Sequence, residues 1–162
     1  METLWYRKLE IKVLEENEKL YRNDFKFFQV ETFLKAAKKA DSFSTKCDIC
    51  QTHKERAEEM ADNLENYLKG DFKLRKDYEK QLDKITKHLK KEHKIYPEQY
   101  FISLYSLFGV LGGIGAGALI AYLTIPGFIN QSMLFGFVGG LIIGRIFGKR
   151  KDNTQKLENK VL

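Results

Sequence analysis

The sequence predicts an all-α membrane protein: an N-terminal cytoplasmic helical bundle containing an αα-hairpin, followed by a transmembrane hairpin of two helices. Three observations carry this expectation. No charged side chain occurs from Tyr100 to Gly144. Residues 1–99 are dense in Lys and Glu, with one glycine, Gly70, and one proline, Pro97. Pro126-Gly127 falls near the middle of the uncharged run, and a helix needs about 20 apolar residues to cross roughly 30 Å of hydrocarbon. The run therefore divides into spans near Tyr100–Ile125 and Phe128–Phe147, the second short and little tilted. The expected organisation is a cytoplasmic domain over 1–97, a membrane hairpin over 98–148 and a basic cytoplasmic tail over 149–162.

A chain so poor in Gly and Pro has little with which to interrupt helices. The first is expected from about Thr3 to Arg22, with Leu4, Leu9, Ile11, Val13, Leu14 and Leu20 as a broad apolar side. Asn23 and Asp24 are good N-cap types for a second helix, which carries Phe27, Val30, Leu34 and Ala37 at spacings of three and four. The polar DSFST segment from Asp41 separates it from a third helix, Cys47 to Lys69, with Ala57, Met60, Ala61, Leu64 and Leu68 on one face. Gly70 closes that helix and Asp71 caps a fourth, with Phe72, Tyr78, Leu82, Ile85 and Leu89 inward. Helices three and four thus form the αα-hairpin, and their narrow, nearly heptad stripe suits coiled-coil-like pairing. Pro97 fits the first turn of the next helix, where a missing N–H is harmless.

Charge sets the expected topology. The N-terminal stretch is charged throughout, unlike a secretory signal peptide. Lys84, Lys87, Lys90, Lys91 and Lys94 precede the first span and Lys149, Arg150 and Lys151 follow the second, while the turn TIPGFINQS is uncharged. By the positive-inside rule both termini are cytoplasmic, in a multi-pass protein of the cell (inner) membrane. The net charge of +6 lies where anionic lipid headgroups would be, each basic residue contributing about 1 kcal/mol there. That placement favours lipid over nucleic acid as the partner of the basic residues.

The segment CDICQTH holds the only two cysteines, Cys47 and Cys50, with His53 three residues on. Successive positions of that set lie about 300° apart on a helix, so they drift slowly along one face. In a hairpin centred on Gly70-Asp71, His53 falls opposite His88, and His93 falls level with Cys47 and Cys50. All five donors therefore gather at one end of the hairpin. A structural zinc takes four Cys and His ligands in a closed tetrahedron. The expected set is Cys47, Cys50, His53 and one of His88 or His93. The plainer alternative is packed thiols in reducing cytosol beside solvated histidines, where a disulfide is not expected.

Small residues recur every four positions in both spans: Gly109, Gly113, Gly117 and Ala121, then Gly136, Gly140, Gly144 and Gly148. Such rows make a groove along a helix, and in lipid close van der Waals contact is what joins helices. The pattern resembles glycine-zipper helices, which occur in oligomeric channels and in plain membrane anchors. The two rows can face each other within one hairpin. Gly112, Gly115 and Gly139 lie off them, and helices with two small faces can also touch a second copy.

The leading expectation is a subunit of a homo-oligomeric membrane pore or channel, built from copies of itself, whose cytoplasmic helices assemble or gate it. The alternative is a membrane-anchored interaction or regulatory module with no pore, its bundle binding a cytoplasmic protein. An enzyme is not expected. The sequence has no phosphate loop, nucleophile elbow or HExxH, and no arginine followed four to six residues later by histidine. Arg145 is the one charge close to the second span's apolar run and can snorkel to the interface. A pore would therefore be lined by glycine backbone and small polar groups.

Overall fold

The computed structural model describes residues 3–18, 28–124 and 126–162, and among them every extended element is a helix. The helices are α1 (Leu4–Glu18), α2 (Val30–Phe43), α3 (Asp48–Asp62), α4 (Leu64–Lys69), α5 (Phe72–His93), α6 (Tyr100–Thr124) and α7 (Ile129–Leu157), with a 3-10 turn at Pro126–Phe128. The chain divides into two compact units, Met1–Ile95 with Leu162, and Tyr96–Val161. The anticipated caps Asn23 and Asp24, with Phe27, Leu20 and Arg22, lie outside the described residues.

In the first unit each helix buries one stripe. Leu9 and Val13 of α1 share one core with Val30, Phe33, Ala36 and Ala37 of α2 and with the buried faces of the helices that follow, and Tyr6 and Ala40 are buried as well. The α3–α4 face predicted from the sequence is buried throughout: Ala57, Met60, Ala61, Leu64 and Leu68. On α5 the buried residues are Tyr78, Leu82, Ile85 and Leu89, and Phe28, Ile95 and Leu162 join the same core.

Several details of this unit differ from the sequence reading. Leu4, Ile11 and Leu14 are exposed, at 76%, 52% and 47%. At about 100° per residue they lie across the helix from Leu9 and Val13, so both sets cannot face one core. Phe72 is likewise exposed, because it opens α5 ahead of the inward stripe. The DSFST break is shorter than expected, since α2 runs through Asp41 to Phe43. Asp41 is buried there, bonded to the Thr3 hydroxyl and paired with Lys54 at 2.7 Å, which ties α2 to α3. The third predicted helix is interrupted at Asn63, whose side-chain amide donates back to the Glu59 carbonyl at 3.0 Å. Such local bonds are how Asn competes with helix continuation.

Gly70 ends α4 in an extended conformation, and a Cβ there would overlap the Asn66 carbonyl. Asp71 then caps α5 by accepting the Leu74 N–H at 3.0 Å. The left-handed residue that closes a helix sits instead at Lys94 (φ 57°), past the end of α5.

The second unit is built on α6, of 25 residues, and α7, of 29, both long and apolar enough to cross a membrane. Pro97 precedes α6 rather than entering its first turn, its carbonyl accepting the Tyr100 N–H at 3.2 Å. Helix α7 does not stop at Phe147. It continues through Lys149, Arg150 and Lys151 to Leu157, so the expected basic tail is largely helical. Tyr96, Tyr100, Phe101 and Tyr105 form a run of ring contacts at the start of α6, with centroids 4.8–6.4 Å apart.

Helices α6 and α7 lie against each other antiparallel, glycine to backbone. A Cβ on Gly109 would overlap the Gly140 carbonyl, and one on Gly113 that of Gly136. Gly117 meets Ser132, Gly144 meets Tyr105, and Gly148 meets Phe101 and Ile102. In contrast, a Cβ on Gly112, Gly115 or Gly139 would find nothing within 4 Å. An open groove of about 600 Å³ runs beside the contact line, with Gly112, Gly139, Phe108, Phe135 and Ile143 among its walls.

Candidate metal centre

The N-terminal end of α3 presents both thiols. Cys47 is the extended N-cap residue (φ −144°, ψ 110°), half-buried, and its carbonyl accepts the Gln51 N–H at 3.0 Å. Cys50 follows in the first turn and is fully buried. Helix α5 brings the imidazoles, His88 on its inner side and His93 as its last residue. Asp71 starts that helix and Lys94 closes it, so the capping residues set the level at which the two histidines arrive.

Four donor atoms converge: those of Cys47, Cys50, His88 and His93 all lie within 4.8 Å of one another and could bind a metal ion. Cys47 Sγ is 3.4 Å from His88 Nε2, Cys50 Sγ is 3.3 Å from the same nitrogen, and Cys50 Sγ is 3.2 Å from His93 Nε2. Zinc bonds of about 2.3 Å to sulfur and 2.0–2.1 Å to nitrogen give a tetrahedron with S···N edges of about 3.5 Å. The observed separations are close to that. A single His88 nitrogen also faces two sulfurs, and a single Cys50 sulfur faces two nitrogens. One shared cation satisfies all of these approaches at once, whereas one N–H can be well aligned with only one acceptor.

The surroundings favour neutral imidazole and penalise the free thiolate. Burial, then the neighbouring His93, holds His88 below the usual imidazole range, against a smaller opposite pull from Glu92. Burial pushes the Cys50 thiol up to about 12, with the hydrogen bond and charge of Cys47 adding to it. Neutral imidazole is the metal-binding form, whereas the Cys50 proton must leave when a cation enters. The ring of Phe43 stacks on His93 (centroids 4.0 Å apart, interplanar angle 14°) and fixes its plane from the end of α2.

His53 is the one predicted donor outside this group. It sits one turn beyond Cys50, buried, with its ring 5.2 Å from that of His88 and its Nδ1 lacking a hydrogen-bond partner among the described residues. Burial first, then His88, Arg56 and Lys84, lowers its pKa. The structure thus groups both His88 and His93 with the cysteines instead of His53 and one of them. The reason is rotation along α3: each three-residue step shifts the face by about 60°, and the second step carries His53 past the point where the α5 donors arrive.

Sequence reasoning missed a second polar constellation. Asp152, in the KRKD run of α7, is buried, and its carboxylate accepts the N–H groups of Phe101 and Ile102 at 3.0 and 2.9 Å. It takes two of the orphan donors that open α6 and lies at the favourable end of that helix dipole. The one signal in the sequence is spacing, since Asp152 stands four residues beyond Gly148 on the same line. Comparison with protein-family models, with curated proteins and with solved structures finds no match to this chain.

Proposed function

We propose that this chain is a membrane-anchored helical module whose cytoplasmic bundle, held by a structural zinc ion, binds another protein, and whose anchor is a hairpin of glycine-zipper type. The module acts by binding, not by catalysis. The observation that carries this reading is the direction of the glycine rows. Gly109, Gly113 and Gly117 meet the α7 backbone of the same chain, and Gly136, Gly140, Gly144 and Gly148 meet α6. Small residues so engaged close one hairpin, and these rows are then not free to hold subunits around a pore.

Zinc is the cation that the donor set favours, because two thiolates and two imidazoles at tetrahedral spacing make a closed site with no open position for substrate. The basic residues flanking the spans suit anionic headgroups and a cytoplasmic placement of both termini. The aromatic run at the start of α6 suits a membrane interface. Leu4, Ile11 and Leu14 give the bundle an exposed apolar stripe on which a protein partner could lie.

One observation favours the second reading, a homo-oligomeric pore: the groove beside Gly112 and Gly139 leaves room for a helix of another copy. Particle mass and the response to Gly139→Leu separate the two. In the anchor reading Gly140→Leu forces a side chain into the Gly109 carbonyl, destabilises each chain and leaves particle mass in detergent that of a monomer. Gly139→Leu, projecting into open space, is then neutral. An oligomeric parent broken into smaller particles by Gly139→Leu, together with conductance across a planar bilayer, would favour the pore.

A further inference from the structure

We propose that Cys47 and Cys50 form a peroxide-sensitive dithiol, in which oxidation joins the two sulfurs and opens the four-donor centre. The inference rests on the metal-centre reading above and adds its regulation. The sulfurs lie within 4.8 Å of each other, in residues only three apart, and no other cysteine exists to compete as resolving thiol. They also differ in access. Cys47 is half-buried and reachable from solvent, while Cys50 is fully enclosed. Cys47 belongs to the N-cap and has extended backbone, so its side chain can turn toward Cys50 with α3 intact.

The chemistry runs in two displacements. The Cys47 thiolate attacks one peroxide oxygen, the O–O bond breaks, and the leaving hydroxide takes a proton to become water. Cys47 is then a sulfenic acid and no longer a good metal ligand. The Cys50 thiolate attacks the Cys47 sulfur, the S–S bond forms, and the second hydroxide leaves and is protonated. Two thiolates, one hydrogen peroxide and two protons become one disulfide and two waters. The two electrons pass from sulfur to peroxide, and the metal leaves with its charge unchanged. His88 and His93 alone are a weak site for zinc, so α3 and α5 lose their shared cation.

The test uses the full chain in detergent, loaded with zinc and titrated with hydrogen peroxide. Metal release is followed with a chromophoric chelator, and the sulfur state by intact mass and thiol blocking. One zinc should be released per disulfide formed, and reduction with added zinc should restore the starting state. Cys47→His keeps four donors without the dithiol, and should release zinc at least about tenfold more slowly at the same peroxide dose. Zinc retained by the parent while glutathione in the same tube oxidises overturns the proposal and leaves the metal centre standing. So does release with oxygen added to Cys47 and no disulfide. Protein that purifies without zinc and forms no disulfide overturns the metal reading and the switch together. Should Cys47→His fail to load, mass of the oxidised parent decides alone, by presence or absence of the disulfide.

Discussion

Replacing Asp152 tests how the membrane hairpin is closed at its basic end. Asp152 is 4% exposed, and its carboxylate accepts two backbone N–H groups, from Phe101 at 3.0 Å and Ile102 at 2.9 Å. Hydrogen bonds to a charged group contribute about 1.5–3 kcal/mol each, and removing a capping side chain costs about 0.5–2 kcal/mol. The two bonds share one carboxylate and do not add fully, so Asp152→Ala should weaken the first turn of α6 by about 2–3 kcal/mol. Amide hydrogen exchange at Phe101 and Ile102 reads this directly. At about 1.4 kcal/mol per tenfold, those two amides should exchange about 30- to 150-fold faster in Asp152→Ala. Asp152→Asn keeps an acceptor and loses the charge, and should fall between variant and parent. Amides near Gly113 should change little, because the glycine contacts there do not involve the carboxylate. Asn153→Ala, at an exposed neighbour, is the control. Equal exchange at Phe101 and Ile102 in Asp152→Ala and parent would refute the cap, leaving a buried acid without a role.

Three further outcomes are expected. Elemental analysis should find about one zinc per chain, lost in Cys50→Ser with a lowered melting temperature, and retained in His53→Ala, whose ring is not among the four gathered donors. Zinc affinity should fall as pH falls between about 8 and 6, because the Cys50 thiol, at about 12 without metal, must give up its proton on binding. The expected loss approaches about tenfold per pH unit for each proton displaced, and a flat profile counts against thiolate ligation. A cysteine introduced at Asn130 should react with an impermeant thiol reagent outside intact cells and one at Asn153 should not, with Cys47 and Cys50 replaced beforehand; the reverse labelling inverts the topology.

Much of the helical order was legible because it depends on one helix at a time. The face Ala57, Met60, Ala61, Leu64 and Leu68 reads from spacing alone, and it is buried. Asp71 reads as an N-cap from its side chain, and it is one. What escaped depends on more than one element. Helix α1 has apolar residues on two sides, and only its neighbours determine that Leu9 and Val13 go inward while Ile11 and Leu14 stay out. The donor cluster was legible as a group, since five rare side chains gather by hairpin register. Which of them converge depends on where α5 ends and how α3 is rotated. His53 lies outside the four gathered donors, and the stacking Phe43 gave no sign in the sequence.

Asp152 escapes notice in isolation and still follows from the pattern around it. Within KRKDN a single acid resembles one more solvated charge. The four-residue period of Gly136, Gly140, Gly144 and Gly148 fixes a line along α7, and the next step on that line is Asp152. The glycines bring the two backbones too close for any side chain between them. At Gly148 the line has reached Phe101 and Ile102, where α6 is just beginning and its N–H groups have no carbonyl one turn back. Gln99, ahead of that turn, has a left-handed backbone and is not a favoured capping type. A residue one turn past Gly148 therefore meets unpaired donors at short range, in a place shielded from water. An apolar side chain would leave them unsatisfied, and a basic one would add positive charge to the positive end of the helix dipole. A short carboxylate meets both requirements, so the only acid in that basic stretch belongs to the same contact line as the glycines.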